Sequence, residues 1–316
     1  MSIIITGVAG FIGSTLAERL LAEGEKIIGI DSFTDYYSKK IKLKNLGNSL
    51  SNSNFKFIEG DLNSLDLKTI IAGAEYIYHQ AGQAGVRKAW GNDFARYVSD
   101  NILATQKLLE AAKESKELKK FINASSSSVY GTAEIFPTPE DILTAPVSPY
   151  GVTKLAAENL ATLYAKECGV PAISLRYFTV YGPRQRPDMA FNIFIRSILK
   201  EKKVKFFGDG KQTRSFTYID DIIEGNILAA QKGQIGAVYN LGGGSQVDLF
   251  TVCDILHSHL GNFDIEFAPK VLGESRDTGA CLKRATKDLG YAPRISLSDG
   301  IVAEIEWIQN NIGLFE

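Results

Sequence analysis

A tyrosine and a lysine four residues apart, at the start of a predicted helix, are the side chains best suited to chemistry in this sequence. Ser148 and Pro149 indicate where the helix starts, because a hydroxyl side chain caps a helix and proline suits its first turn. Tyr150 and Lys154 then lie one turn apart on the same face. Since an ammonium group and the positive end of a helix both favour a phenolate, Tyr150 is predicted to act as a general base.

A tract of four serines, residues 125–128, precedes this helix. The apolar run Phe121–Ala124 before it predicts a strand, and strands of a parallel sheet deliver the residues that follow them to one edge. Ser126 is therefore predicted to hold the substrate oxygen that Tyr150 deprotonates. Taken alone, the tract also fits a low-complexity loop, and the Tyr-Lys pair also fits the exposed face of an ordinary helix.

The beginning of the chain has the layout of a dinucleotide-binding unit, namely strand, glycine-rich turn and helix. Ser2–Thr6 is a β-branched run typical of a strand buried in a parallel sheet. Gly7, Gly10 and Gly13 follow, and glycines there permit a tight turn and the close approach of a pyrophosphate. The next strand ends at Asp31, whose carboxylate suits the hydroxyls of an adenosine ribose. No arginine follows it closely, so NAD is predicted rather than NADP.

Apolar runs that alternate with helical patterns predict an α/β fold. We expect a Rossmann-type doubly wound parallel sheet with a smaller α/β substrate-binding lobe. Residues 1–178 are assigned to the NAD-binding domain and residues 179–316 to the second lobe, with segments at about 214–245 returning to the first. Asp220 or Asp221 is predicted to cap a helix in the returning part.

The composition is that of an ordinary globular protein and favours neither a nucleic-acid nor a membrane partner. The 316 residues are 45% hydrophobic and 22% charged, with a formal net charge of −1. The apolar runs are too short to cross a bilayer, and we expect no signal peptide. Three widely spaced cysteines favour reduced thiols, so a cytoplasmic location without a metal site is predicted.

Taken together, these motifs resemble the extended short-chain dehydrogenases/reductases, and within them the sugar-nucleotide epimerase/dehydratase family. The matching motifs extend over nearly the whole chain and are Gly7-x-x-Gly10-x-x-Gly13, Asp31, Asp61-Leu62, the Ser126–Tyr130 run, Tyr150-x-x-x-Lys154, Arg214-x-Phe216-x-Tyr218-x-Asp220-Asp221 and Arg276. The resemblance implies Tyr150 as the base, Lys154 on the nicotinamide ribose and Ser126 on the reacting hydroxyl. It also implies a homodimer formed by the helices that begin near Asn101 and Tyr150.

The layout and the resemblance together assign the remaining contacts. Contacts to NAD are assigned to Gly7, Gly10, Phe11, Ile12, Gly13, Asp31, Asp61, Leu62, Ala81, Gly82, Gln83, Lys154, Tyr177 and Val180. Contacts to a UDP-sugar are assigned to Arg87, Ser127, Ser128, Thr179, Arg184, Arg186, Asn192, Val204, Phe206, Arg214 and Arg276. Among these, Arg214 and Arg276 are expected on the diphosphate. Asn192, Val204 and Phe206 are expected near the uracil or ribose.

Two features of the sequence narrow the reaction that the resemblance implies. Ser127-Ser128 stand where 4,6-dehydratases carry an Asp-Glu pair, and Ser128 stands where UDP-glucuronate decarboxylases carry a glutamate. The run Arg186–Ala190 is similar to the branch that epimerises UDP-glucuronate at carbon 4. We therefore predict an NAD-dependent 4-epimerase that converts UDP-glucuronate to UDP-galacturonate through a transient 4-keto sugar.

An acidic sugar needs a group that holds its carboxylate. Arg186, and with it Arg184 or Arg87, is predicted to do so, because a guanidinium binds a carboxylate through two parallel hydrogen bonds. The hydroxyls of Ser127, Ser128 and Thr179 are the neutral alternative. Other activities left open are 4-epimerisation of UDP-glucose or UDP-N-acetylglucosamine, decarboxylation of UDP-glucuronate, and non-catalytic regulation by NAD binding.

Overall fold

The computed structural model describes residues 2–315. The strands are β1 (Ser2–Thr6), β2 (Ile27–Asp31), β3 (Phe55–Glu59), β4 (Ala74–His79), β5 (Lys120–Ser126), β6 (Ala172–Tyr177), β7 (Val180–Tyr181), β8 (Val204–Phe207), β9 (Thr213–Arg214), β10 (Thr217–Tyr218), β11 (Val238–Leu241), β12 (Val247–Asp248) and β13 (Ile265–Ala268). The helices are α1 (Phe11–Ala22), α2 (Lys39–Leu50), α3 (Leu67–Ile71), α4 (Phe94–Tyr97), α5 (Ala104–Lys113), α6 (Pro149–Cys168), α7 (Ala190–Leu199), α8 (Ile219–Lys232), α9 (Leu249–Leu260), α10 (Lys283–Leu289) and α11 (Leu297–Asn310). A π-helical stretch, Val98–Leu103, joins α4 to α5.

Seven parallel strands form the main sheet in the order β3-β2-β1-β4-β5-β6-β11. Strand β1 pairs with β2 on one side and with β4 on the other. The chain therefore adds strands first on one side of β1 and then on the other, and the switch point lies between β1 and β4. In open parallel sheets a ligand binds at such a switch point, outside the carboxyl ends of the strands. The predicted Rossmann-type α/β fold is confirmed.

The sheet is buried on both faces, as the β-branched runs predict. Alternate residues of β1 point to opposite sides, so Ile3 and Ile5 belong to one apolar cluster and Ile4 to another. The first cluster includes Leu16 of α1, and the second includes Leu108 of α5. These clusters hold the carboxyl ends of the strands in a fixed arrangement.

The second lobe has a core of its own, formed by α7, α9 and α11 around the short sheet of β8 and β13. Phe206 of β8 is completely buried there against Phe194 of α7. Outside the main sheet, two further pairs of short strands form, β7 with β10 and β9 with β12. This arrangement fits the predicted smaller lobe.

The prediction that Asp220 or Asp221 caps a helix in the returning segment was wrong. Helix α8 begins at Ile219 without a side-chain cap, although Asp220 and Asp221 lie in its first turn. The carboxylate of Asp221 instead accepts hydrogen bonds from the backbone N–H groups of Arg294 and Ile295, at 2.9 and 3.3 Å. The aspartate therefore fastens a later loop, which lies 73 residues further on, to this helix.

Candidate functional site

The helix that carries the predicted base begins and ends as the sequence predicts. The Ser148 hydroxyl accepts a hydrogen bond from the Gly151 N–H at 3.1 Å, and Pro149 occupies the first turn. At the other end, Gly169 adopts a left-handed conformation with φ of 72° and closes the helix. Tyr150 therefore lies in the first turn of α6, directly beside the carboxyl ends of the strands.

A cleft opens at these strand ends and brings together most of the predicted cofactor residues. Those that line it are Gly7, Gly10, Phe11, Ile12, Gly13, Asp31, Asp61, Leu62, Ala81, Gly82, Gln83, Lys154 and Tyr177. Tyr150 and Arg186 line the same cleft. Val180 does not belong to this lining, because its side chain is buried within β7.

The glycine turn forms the floor of the cleft and leaves room for a ligand backbone. Gly7 has a φ of +66°, which a residue with a side chain rarely adopts. Helix α1 starts after Gly10 with no side-chain cap, so its first N–H groups remain available to an anion. The turn therefore fits the pyrophosphate of a dinucleotide.

We expect Gly13→Ala to abolish this fit. The new Cβ would lie 2.3 Å from the Gly7 carbonyl oxygen, so the turn must open. We expect affinity for NAD to fall at least about tenfold, or about 1.4 kcal/mol, in calorimetric titration of the nucleotide-free protein. Gly47→Ala is the matched control, because a Cβ at this exposed position in α2 meets nothing within 4 Å. Equal losses of affinity in both variants would contradict the prediction.

Asp31 is held where an adenosine ribose would meet it. One carboxylate oxygen accepts from the Ala9 N–H at 3.0 Å and the other from the Phe33 N–H at 2.8 Å. Burial raises the pKa of Asp31, while these hydrogen bonds and the charge of Lys42 oppose that rise. Each oxygen retains a lone pair for a ribose hydroxyl, as NAD binding requires.

Sequence reasoning missed Lys42 as a residue of this cleft. Its ammonium donates to the Thr34 carbonyl oxygen at 2.6 Å, and burial lowers its pKa. Helix α2 returns Lys42 to the strand end from eleven positions further along, which no local pattern indicates. Tyr36 and Tyr37 of the intervening loop also line the cleft.

The electrostatics of Tyr150 differ from the sequence expectation. Burial raises the pKa of the phenol, and a hydrogen-bonding contribution from Ser126 and the charge of Arg186 oppose that rise. The pKa of Tyr150 is therefore raised and not lowered as expected, because burial outweighs the groups that favour the phenolate, and Lys154 is not among those groups. The pKa of Lys154 is itself lowered to about 8 by burial, even though Glu158 raises it.

A buried ion pair supports the helix behind these residues. The guanidinium of Arg176 on β6 donates to both carboxylate oxygens of Glu158, at 3.0 and 2.6 Å. Ser125, directly before Ser126, donates to the same carboxylate at 2.6 Å. The side chains of Arg176 and Glu158 are 6% and 3% exposed. This contact ties the end of β5 to the helix that carries Tyr150 and Lys154.

The serine tract continues past the strand end as a single 3₁₀ turn, Ser127–Val129. The Ser126 hydroxyl caps this turn by accepting from the Ser128 N–H at 3.1 Å. Ser127 and Ser128 are half-buried, as is Thr179 after β6. The predicted positioned hydroxyl therefore belongs to an ordered turn and not to a low-complexity loop.

Most of the predicted arginines already have acidic or carbonyl partners. Arg87 donates to Glu274 at 2.7 Å and Arg276 to Asp209 at 2.9 Å. Arg214 donates to the carbonyl oxygens of Thr213, Ser275 and Arg276.

The two arginines of the Arg184–Arg186 segment diverge. Arg186 is paired with Asp188 and faces the cleft. Arg184 instead donates to Glu18 of α1 at 2.6 Å and does not line the cleft that Arg186 and Tyr150 share. Its contact with the sugar carboxylate stays a prediction.

Three residues expected near the uracil or ribose have completely buried side chains. Val204 and Phe206 are core residues of the second lobe. Asn192 donates to the Gln185 carbonyl oxygen at 2.9 Å and accepts from Arg196 at 2.7 Å. Their side chains therefore do not line an open site, and any contact with a ligand would have to come from their backbone. These side chains are enclosed because the second lobe packs tightly around them.

Within residues 2–315, no group of three or more His, Cys, Asp and Glu side chains is placed to hold a metal ion. Over the same residues, none of the helices combines the length and apolarity needed to cross a membrane.

Comparisons with known proteins find a matching family model, similar sequences and a similar crystal structure. A model of the NAD dependent epimerase/dehydratase family matches residues 3–242. The chain is 38% identical over 319 residues to a UDP-glucuronate 4-epimerase of Thermodesulfobacterium geofontis, covering 99% of this chain and 98% of that protein. It is 42% identical to an uncharacterized UDP-glucose epimerase, YtcB, of Bacillus subtilis, covering 98% of both. A crystal structure of UDP-glucuronic acid 4-epimerase from Bacillus cereus, in complex with UDP-glucuronic acid and NAD, superposes with a TM-score of 0.96. The two chains are 44% identical, and the match covers 98% of this chain and 100% of that one.

Proposed function

Because the chain belongs to the NAD-dependent epimerase/dehydratase family, we propose that it is an NAD-dependent UDP-sugar 4-epimerase with UDP-glucuronate as its preferred substrate. The observation that carries the substrate assignment is Arg186, whose guanidinium lines the same cleft as Tyr150. A cation beside the proton-transferring phenol suits a sugar whose carboxylate lies close to its reacting carbon. The relatives that act on UDP-glucuronate support this choice.

NAD, when bound, would accept and return the hydride of carbon 4, and the glycine turn and Asp31 would hold it. The protein's own task is proton transfer and orientation. Tyr150 would take the proton of the 4-hydroxyl and return it, while Ser126 holds the same oxygen. Lys154 would hold a ribose hydroxyl of the cofactor and supply positive charge beside Tyr150.

Recognition of the carboxylate is assigned to Arg186 together with the hydroxyls of Ser127, Ser128 and Thr179. A charge-assisted hydrogen bond contributes about 1.5–3 kcal/mol, which corresponds to a preference of about 10- to 100-fold. Holding the acid also opposes loss of carbon dioxide from a 4-keto sugar, because it fixes the orientation of the carboxylate. Arg214 and Arg276 remain proposed for the diphosphate.

We expect UDP-glucuronate to be converted to UDP-galacturonate, and at a higher kcat/KM than UDP-glucose or UDP-N-acetylglucosamine are epimerised. Products from each UDP-sugar are to be separated by chromatography and identified by NMR. Formation of UDP-xylose from UDP-glucuronate would contradict the proposal. Faster turnover of UDP-glucose would favour the second candidate, a UDP-glucose 4-epimerase, which the similarity to YtcB supports.

We also propose a homodimer in the cytoplasm and a division between lobes at residue 178. Three apolar side chains on the helices expected to form the dimer are exposed, namely Leu103 before α5 and Val152 and Leu163 of α6. Their exposure fits a four-helix interface between two copies of the chain.

The returning segments support the lobe assignment, because Ile222 of α8 and Tyr239 of β11 belong to the core of the first lobe.

A further inference from the structure

The loop that joins β2 to α2, residues 32–38, reaches across the cleft to the segment that carries Arg186. The Tyr36 hydroxyl donates to a carboxylate oxygen of Asp188 at 3.1 Å. The same carboxylate accepts from Arg186 through Nε and Nη2, at 3.0 Å each. Tyr36, Asp188 and Arg186 thus form a hydrogen-bonded chain that connects the cofactor side of the cleft to its sugar side.

From this chain of contacts we infer that Tyr36 and Asp188 are specificity-determining positioning residues, which hold Arg186 in the orientation that receives an acidic sugar. The inference rests on the proposed function, because it concerns recognition of the UDP-glucuronate carboxylate. Neither side chain is assigned a contact with the sugar. Both act through Arg186.

The hydrogen bonds of Arg186 leave one edge of the guanidinium for a ligand. Nε and Nη2 are bound to Asp188, whereas Nη1 makes no hydrogen bond within residues 2–315. Arg186 lines the cleft together with Tyr150, and its charge acts on the phenol. Asp188 therefore fixes one edge of the guanidinium and leaves the remaining N–H groups for a ligand in the cleft that Tyr150 also lines.

Packing around Tyr36 makes this orientation specific. The guanidinium of Arg186 lies 5.9 Å from the centre of the Tyr36 ring, and the ammonium of Lys88 lies 4.7 Å from it. A Cβ at Gly85 would lie only 2.1 Å from the Tyr36 hydroxyl oxygen, so the phenol fits closely against this glycine. The Tyr97 hydroxyl, which donates towards the Gly85 carbonyl oxygen at 2.8 Å, holds the glycine in place.

The same loop belongs to the cofactor site. It starts directly after Asp31, which accepts a hydrogen bond from the N–H of Phe33. Thr34 accepts from Lys42, and both Tyr36 and Tyr37 line the cleft. An arrangement of residues 32–38 that fits the cofactor therefore also sets the position of Asp188, and through it that of Arg186.

A binding experiment separates this role from a purely structural one. NAD-loaded protein carrying Tyr150→Phe, which prevents turnover, is titrated calorimetrically with UDP-glucuronate, UDP-glucose and UDP. We expect Asp188→Asn and Tyr36→Phe in this background to weaken UDP-glucuronate binding by about tenfold, the size of a lost hydrogen bond to a charged group. Affinities for UDP-glucose and UDP should change less than about twofold, because neither ligand carries the carboxylate.

Tyr76→Phe is the matched control, because it removes a phenolic hydroxyl from β4 outside the cleft. It should leave all three affinities unchanged. Equal weakening of UDP-glucuronate and UDP-glucose in the Tyr36 and Asp188 variants would overturn the positioning role, as would unchanged affinity for both. If the Tyr150→Phe parent itself binds UDP-glucuronate no more tightly than UDP-glucose, the proposed substrate preference fails instead.

Discussion

Replacing Tyr150 by phenylalanine is expected to lower kcat by about 10²- to 10⁴-fold, the usual contribution of a positioned acid or base. The phenol lines the cleft and is proposed to exchange a proton with a sugar hydroxyl, and a hydrogen-bonding contribution from Ser126 lowers its pKa against the effect of burial. Phenylalanine keeps the ring and its edge-on packing against Tyr97, at 6.3 Å between ring centres. NAD should therefore stay bound while turnover is lost.

The measurement compares product formation with the amount of NAD released on denaturation of the purified variant. Tyr164→Phe is the control, because it makes the same change on the same helix, where the hydroxyl bonds to Glu110 and Gln106 outside the cleft. A Tyr150→Phe protein that keeps full turnover would contradict the assigned base. If neither the wild-type protein nor the Tyr150→Phe variant turned over a UDP-sugar and a regulatory activity remained in both, the non-catalytic alternative would gain support.

Replacing Glu158 by glutamine is expected to destabilise the fold by about 3–5 kcal/mol, because it leaves a buried guanidinium without its counter-charge. Arg176 would keep hydrogen bonds to the Tyr130 hydroxyl and the Glu140 carbonyl oxygen, which do not neutralise it. Denaturation in urea measures the loss in the free energy of unfolding. Glu114→Gln, which breaks an exposed pair with Lys68, should cost less than about 1 kcal/mol.

Replacing Glu158 by glutamine is also expected to change the pKa of Lys154. Glu158 raises the pKa of Lys154 against the effect of burial, which lowers it to about 8. Without that carboxylate the pKa of Lys154 falls further, so the ammonium loses its proton at a lower pH. We therefore expect the alkaline limb of the pH–activity profile to move to lower pH. An unchanged limb would indicate that Glu158 supports the fold alone.

Features encoded by neighbouring residues could be predicted from the sequence. Ser148 and Pro149 start α6, and Gly169 ends it, because each acts on backbone groups within one turn. The glycine turn and the buried strand before it are equally local, and they place Asp31 at the strand end. From such signals the parallel sheet and the cofactor cleft follow.

Features that depend on distant parts of the chain could not be predicted. Tyr36 and Asp188 are 152 residues apart, so their contact follows only from the way the two lobes pack. Asp221 has the position of a helix cap, yet its carboxylate binds the N–H of Arg294. The pKa of Tyr150 also depends on burial, which the spacing of two residues on a helix does not reveal.

The late return of the chain to the main sheet has a consequence for synthesis. Edge strand β11 ends at Leu241, and Leu289 of α10 still belongs to the core of the first lobe. A nascent chain that has only reached residue 178 therefore exposes the unpaired N–H and C=O groups at the edge of β6 with which β11 later pairs. We expect the ribosome-bound intermediate to need protection by chaperones until both lobes are nearly complete. The two lobes would then fold together and not as separate units.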